Sequence, residues 1–268
     1  MSVQTLYTAA TGMESLQTKL DVIANNLANV NTTGFKKGRC NFEDLFYRNI
    51  TLPGAQDAQG NYTATGTQVG LGSRVQSIQT NFSQGAFQET KSPLDVTIEG
   101  NGFFQVQDPS TGQSVYTRAG NFAVNANNQL VVGSASTGRL VVPNITLPTD
   151  YTGVSITADG KVVVTQSGQT GQQQQGQIEL AIFPNPEGLL KLGENLYQVT
   201  DSSGAAVVSN PQSQGTGTLR AGYLEASNVE PVQELIDLIT TQRSFELNSQ
   251  AIQAGDQILQ LISNLRRS

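Results

Sequence analysis

Residues 6–34 read LYTAATGMESLQTKLDVIANNLANVNTTG. Leu6, Met13, Leu20 and Leu27 recur every seven residues, and Ala9, Leu16, Ile23 and Val30 fill the positions between them. A 4–3 alternation held over more than three heptads is the seam of a coiled-coil helix, not the period-two pattern of a strand. Ser2 is placed to cap its start. Asn31-Thr32-Thr33-Gly34 is placed to stop it, with Gly34 suited to the left-handed closing position. Gly12 is a weak point, costing about 1 kcal/mol relative to Ala. Between Ser2 and Asn31 the only charges are Glu14, Lys19 and Asp21. A two-stranded coiled coil in water carries Glu and Lys on its flanks. Neutral polar flanks are cheaper to bury, provided that their amides find partners. This helix is therefore expected to be surrounded on several sides.

The C-terminus repeats the design. Leu247, Ala251, Ala254, Ile258, Leu261 and Leu265 are spaced 4–3–4–3–4, and Leu238, Phe245, Ile252 and Leu259 form a second stripe beside them. Ser227 or Asn228 can cap this helix, Pro231 is tolerated in a first turn, and Arg266 and Arg267 complement the dipole at its end. From Val229 to Leu265 it would be about 55 Å long. An intramolecular hairpin accounts for one stripe on each helix. It leaves the second C-terminal stripe and the uncharged N-terminal flanks without a partner.

Between the helices the period falls to two. Asp95-Val96-Thr97-Ile98-Glu99 alternates, turns at Gly100-Asn101-Gly102 and continues as Phe103-Phe104-Gln105-Val106. Val154 to Thr157 and Val162 to Thr165 flank Ala158-Asp159-Gly160, whose Asp-Gly step is a hairpin signal. Ser114 to Arg118, Asn121 to Val124, Gln177 to Phe183 and Leu196 to Thr200 are further strand candidates, and Gln166 to Gln177 is expected to be an exposed loop. The fold class is thus α+β. A helix in 1–35 pairs with one in 223–268 as a coiled coil, 36–80 forms an extended arm or linker, and 81–222 forms an antiparallel β-rich domain. In the arm, Phe42, Leu45, Phe46 and Tyr47 could anchor a short helix or extended segment, and Pro53-Gly54 opens a polar stretch that is either extended or a long hairpin.

Composition narrows the function. Only 13% of the 268 residues are charged, against roughly 25% in an ordinary soluble domain, so much of the surface is expected to end up against protein. A net charge of −6 and a pI near 4.7 argue against nucleic acid, whose phosphates demand a basic face. They argue equally against a polybasic membrane anchor. There is no histidine, which removes the usual general base, the commonest metal ligand and every Ser-His or Cys-His dyad. Cys40 is the single cysteine and reads as a small apolar residue. No run reaches the ~18 apolar residues of a membrane span, and no basic segment followed by an apolar run marks a Sec signal. No cofactor or metal site is expected. Glu43 and Asp44 are adjacent, but nothing sets an acid pair across a cleft; Asp95, Glu99 and Glu179 lie in strand-like runs whose exposed faces normally carry acids. A secreted β-rich adhesin would show clustered exposed aromatics, yet there is no Trp and aromatics total 6%. Phe103, Phe104 and Phe122 read as β-core residues.

Ala24-Asn25-Asn26-Leu27-Ala28-Asn29-Val30-Asn31-Thr32-Thr33-Gly34-Phe35-Lys36 resembles the N-terminal motif of the flagellar axial proteins, which form rod and hook. Ser92-Pro93-Leu94-Asp95-Val96 running to Gly100-Asn101-Gly102-Phe103-Phe104, then Tyr116-Thr117-Arg118-Ala119-Gly120, resembles the start of that family's β domain. Gly222 to Val229 and Gln242-Arg243-Ser244-Phe245-Glu246 resemble its C-terminal region. The resemblance covers essentially the whole chain. Phe42 to Tyr47, Pro53-Gly54-Ala55-Gln56 and Gly66 to Gly72 resemble the distal-rod branch, with proximal rod and hook-type members as the alternative. The resemblance implies a non-enzymatic subunit, exported by the flagellar type III apparatus without a cleaved signal, in a rod spanning the periplasm. It implies assembly with copies of itself and with proximal rod, hook and ring proteins. The assembly interface is expected at Leu6, Met13, Leu16, Leu20, Ile23, Asn25, Asn26, Leu27, Asn29 and Val30, and at Leu238, Phe245, Leu247, Ile252, Ile258, Leu259, Leu261 and Leu265. Phe42, Leu45, Tyr47 and Pro53 are expected to serve the arm.

Overall fold

The 4–3 seam at the N-terminus folds as α1, Val3–Ala28, in a computed structural model that describes residues 3–54, 65–109, 112–166 and 171–265. The chain divides into two units, one of 1–28, 38–79 and 230–268 and the other of 29–37 and 80–229.

The first unit holds α1, the arm and α2, Pro231–Leu265. The two helices are in contact and antiparallel. Partner numbers fall as those of α1 rise: Leu6 meets Gly255, Gly12 meets Asn248 and Asn26 meets Glu234. A Cβ at Gly255 would come within 2.6 Å of Leu6 Cδ2, so the end of the Leu6 side chain rests against this buried glycine. The arm contains β1 (Gly38–Asp44), β2 (Tyr47–Thr51), β3 (Thr67–Gly70) and β4 (Ser73–Thr80). β1 pairs with β4, and β2 pairs antiparallel with β3 in the register Tyr47↔Gly70 and Arg48↔Val69. Leu45 N–H donates to Gly72 O at 2.9 Å and Leu71 N–H to Phe46 O at 3.1 Å, joining the two ladders into one long hairpin. Of the forms the sequence allowed for the arm, the hairpin is the one adopted. A short helix is not formed; Tyr47–Thr51, which carries Tyr, Ile and Thr, pairs with Thr67–Gly70 instead.

The second unit is antiparallel β. A nine-stranded sheet runs from Leu190–Gly193 through Leu196–Gln198, Ser114–Thr117, Phe103–Gln107, Arg139–Val141 and Leu130–Val132 to Phe122–Val124, with Leu180–Ile182 and Val207–Ser209 branching off Phe103–Gln107. A three-stranded sheet holds Tyr151–Ile156, Lys161–Gln166 and Gln172–Gln177. Its first turn is the expected hairpin, with Gly160 at φ +84° and its N–H on Thr157 O. Val96, Ile98, Phe104, Phe122, Leu130, Val162, Val164, Ile178 and Leu180 fill the main core. Phe103, Phe104 and Phe122 are core residues, as their strand positions implied.

Three local expectations are corrected. Gln172–Gln177 is an edge strand and not a loop; glutamine can satisfy a ladder as well as solvent, and Val162 to Thr165 supplies the neighbour. The C-terminal helix begins at Pro231, not Val229. Glu230 O accepts from Glu234 N–H, while the Asn228 amide is engaged with Lys37, Asn81 and Ser83. Gly34 does have a positive φ, +70°, but α1 stops six residues earlier, at Ala28. A Cβ on Gly34 would lie 2.9 Å from Ala119 N, so close backbone approach selects the glycine, not helix closure. The expected caps Ser2, Arg266 and Arg267 lie outside the described residues. No described helix is long and apolar enough to cross a membrane.

Candidate assembly surface

Along α1 the 4–3 positions turn toward protein. Ile23 is only 4% exposed, and Leu6, Met13, Leu16, Leu20 and Leu27 are half-buried. On α2 the stripe Leu238, Phe245, Ile252 and Leu259 is half-buried. The other stripe is open: Leu247 is 64% and Leu261 63% exposed, Ala251 and Ala254 are exposed, and Ile258 is half-buried. The side chain of Leu265 lies outside the described residues. The open stripe also runs further than the sequence reading took it. Val232, Leu235, Ile236 and Ile239 are exposed apolar side chains in the first turns of α2. Positions 232, 236 and 239 are themselves spaced 4–3, a signal that could have found them, but eight residues separate 239 from 247, so they stand out of heptad register with the later stripe.

Among the described residues of the helix-and-arm unit, Ile23 is the single fully buried apolar side chain; the other core residues belong to the β unit. The arm is likewise open. Phe42, Tyr47 and Pro53 are exposed and Leu45 is half-buried. Phe46, Ile50 and Leu52, which the interface reading left out, are exposed too. The flank of α1 presents Tyr7, Ala10, Gln17, Ala24, Asn25 and Ala28 to solvent.

Not every expected interface position is available. Asn26 is 2% exposed. Its Nδ2 donates to Gly38 O at 2.9 Å and to Glu234 Oε2 at 3.2 Å, and its Oδ1 accepts from Gly38 N–H at 2.9 Å. These bonds tie α1, β1 and α2 together inside one subunit, so Asn26 and Ile23 act within the fold. Asn29 and Val30 are half-buried beyond the end of α1.

In the β unit, three stretches far apart in sequence meet at a buried ionic cluster. Lys36 Nζ lies 2.6 Å from Glu225 Oε1 and donates to Ser83 O at 2.8 Å, with both side chains wholly buried. Gly85 N–H donates to the same Oε1 at 2.9 Å. Arg118 Nε faces Glu225 Oε2 at 3.5 Å, and its Nη atoms donate to Gly100 O and Gly102 O. Two cations share one carboxylate. Burial pushes the Lys36 ammonium below the ordinary lysine range against the attraction of Glu225, and Arg118 adds to the lowering. Burial lowers Arg118 as well and raises the neighbouring Tyr197 phenol. Nothing in the composition pointed to this cluster. The one available clue was that each member sits in a separate quoted motif.

Those motif regions are also where known families match. Residues 6–36 match the family described as "Flagella basal body rod protein", 97–164 the "Flagellar hook protein FlgE/F/G D1 domain" and 220–265 the "Flagellar basal body rod FlgEFG protein C-terminal". Along the full length, the flagellar basal-body rod protein FlgG of Caulobacter vibrioides is 45% identical over 98% of this chain and 100% of its own. The same-named protein of Buchnera aphidicola is 43% identical over 98% and 100%, and that of Bacillus subtilis 42% over 99% and 100%. The chain belongs to the FlgG family of flagellar basal-body rod proteins. As a FlgG-family member it is a structural subunit of the basal-body rod and not an enzyme. Lys36, Arg118 and Glu225 fall one in each of the three FlgG-type regions, so the cluster joins stretches of chain that the family matches describe separately.

Proposed function

We propose that this chain is the repeating subunit of the distal rod, a helical tubular shaft that transmits torque from motor to hook. The observation that carries the reading is the imbalance between the two units. The β unit has a closed apolar core. Among its described residues the helix-and-arm unit closes only Ile23 and leaves apolar side chains between Val232 and Leu261 of α2 in the open. Burying an exposed leucine is worth about 2 kcal/mol, so a continuous stripe of them drives association. Contiguous exposed apolar surface on this scale marks an interaction site.

In the assembled rod, α1 and α2 pair as a coiled coil through Leu6, Met13, Leu16, Leu20 and Leu27 against Leu238, Phe245, Ile252 and Leu259. The open stripe, with Leu247, Ile258, Leu261 and Leu265, meets helices of neighbouring copies. Head-to-tail contacts between identical subunits generate an open helical filament and not a closed ring when the rotation fails to close. The β unit forms an outer layer, and Phe42, Leu45, Tyr47 and Pro53 serve an arm that locks adjacent copies. Proximal rod, hook and ring proteins are the neighbours along the shaft. The type III apparatus is the export route, and the periplasm is the space crossed. The neutral flanks of α1 fit a helix enclosed on several sides.

Electron microscopy of the purified chain under assembly conditions tests the proposal. Tubes or short rods are expected, and dispersed particles at every concentration would overturn it.

A further inference from the structure

The β unit carries a cavity of about 320 Å³ that its own side chains leave unfilled. Phe82, Phe103, Phe183, Pro184 and Pro186 wall it, with Arg118 at one side. Phe103 already meets Phe82 and Phe183 edge-on, at centroid distances of 5.4 and 5.6 Å. The Arg118 guanidinium lies 5.7 Å over the Phe103 ring. Such a slot suits one more aromatic ring, since edge-to-face packing tolerates centroids about 4.5–7 Å apart. The cluster beside it is positive by one charge, with Lys36 and Arg118 against Glu225. A ring that brings a carboxylate is therefore favoured over a neutral one.

We infer that the occupant is Phe46 of a second copy, delivered by the junction between β1 and β2. Phe46 is 88% exposed, the highest value among the large apolar side chains described. Asp44 stands two residues before it in the chain and is exposed like it. The Glu43 carboxylate is paired with the Arg74 cation, whereas the exposed Asp44 carboxylate accepts from the neutral Tyr47 hydroxyl, so its charge can still face the mouth of the slot. The contact is heterologous, a knob on one surface and a slot on another, so it propagates and does not close on itself. It rests on the self-assembly reading above and names the partner surface of the arm.

The test has two arms. In the first, a peptide of residues 41–49 is titrated onto the dispersed chain. Saturable binding is expected, weakened roughly tenfold by Phe46→Ala in the peptide and equally by Ile182→Trp, which fills the slot, in the protein. Absence of binding, or binding indifferent to both changes, overturns the inference. In the second, Phe46→Cys and Pro186→Cys are combined in a Cys40→Ser background and oxidised after assembly. Crosslinks between copies are expected. Polymers that form without them, or that link position 46 to a helix instead, overturn the slot and leave self-assembly standing. Failure of any polymer to form overturns self-assembly, and the peptide arm then decides the slot alone.

Discussion

Glu225 is the single carboxylate for two buried cations, and this makes the three residues unequal. Glu225→Gln leaves Lys36 and Arg118 buried without a counter-charge, and a loss of about 3–5 kcal/mol is expected. Lys36→Met leaves Arg118 and Glu225 matched one to one. It gives up the 2.6 Å pair with Glu225 and the bond to Ser83 O but also the cost of burying a second cation, so about 1–2 kcal/mol is expected. Urea denaturation of the two variants checks the order. The titration of Lys36 has a definite sign. Its folded pKa is depressed, so the unfolded chain binds the proton better, and this group's contribution to stability is lost as pH falls and gained as pH rises toward the ordinary lysine value of 10.5. Tyr116 and Tyr197, raised by burial, act in the opposite sense in alkali. The difference between wild type and Lys36→Met isolates the lysine: the wild type is expected to gain on the variant as pH rises toward 10.5. A flat difference would show that Lys36 is not held charged at a penalty.

At the scale of elements, the two stripes of α2 should separate stability from assembly. Phe245→Ala removes packing against α1 and is expected to destabilise the helical pair by about 2 kcal/mol. Leu247→Glu lies on the open stripe. It should leave the circular dichroism and melting of the dispersed chain unchanged while abolishing polymers in sedimentation velocity. Gly255→Ala follows helix propensity: alanine favours a helix by about 1 kcal/mol over glycine, and its Cβ would meet only the movable end of the Leu6 side chain, so the variant is expected to melt slightly higher. The helices were legible because a seven-residue repeat is a strong local signal, and so was the Asp159-Gly160 hairpin, because few other turns accept that pair. Apart from Gln172–Gln177, the described β-unit strands that the sequence did not reveal, among them Leu130–Val132, Arg139–Val141 and Val207–Ser209, have only three or four residues each, too few for alternation to be read. Which α2 stripe faces α1 was equally hidden, because spacing gives two apolar faces and not their order.

For the whole molecule, the division between a closed β core and an open helical unit predicts two regimes of hydrogen exchange. In the dispersed chain, amides of α1, α2 and the arm should exchange through low-energy openings, and those of Val96–Glu99, Phe103–Gln107 and Lys161–Gln166 only through global unfolding. In polymers the helical amides should become as slow as the β amides. Equal protection in both states would mean that the open stripe is not an interface. The ionic cluster was beyond sequence reading at this scale, since its members are separated by 82 and 107 residues and only the fold brings them together. One small feature also bears on the finished machine. The amide of Asn26 grips both sides of the Gly38 backbone and the Glu234 carboxylate, and sliding α1 by a single residue would break all three bonds at once. Every subunit therefore arrives with its own internal gauge already set. A small misalignment in one copy is not handed on to the next, and a shaft many copies long can stay straight without any neighbour acting as a ruler.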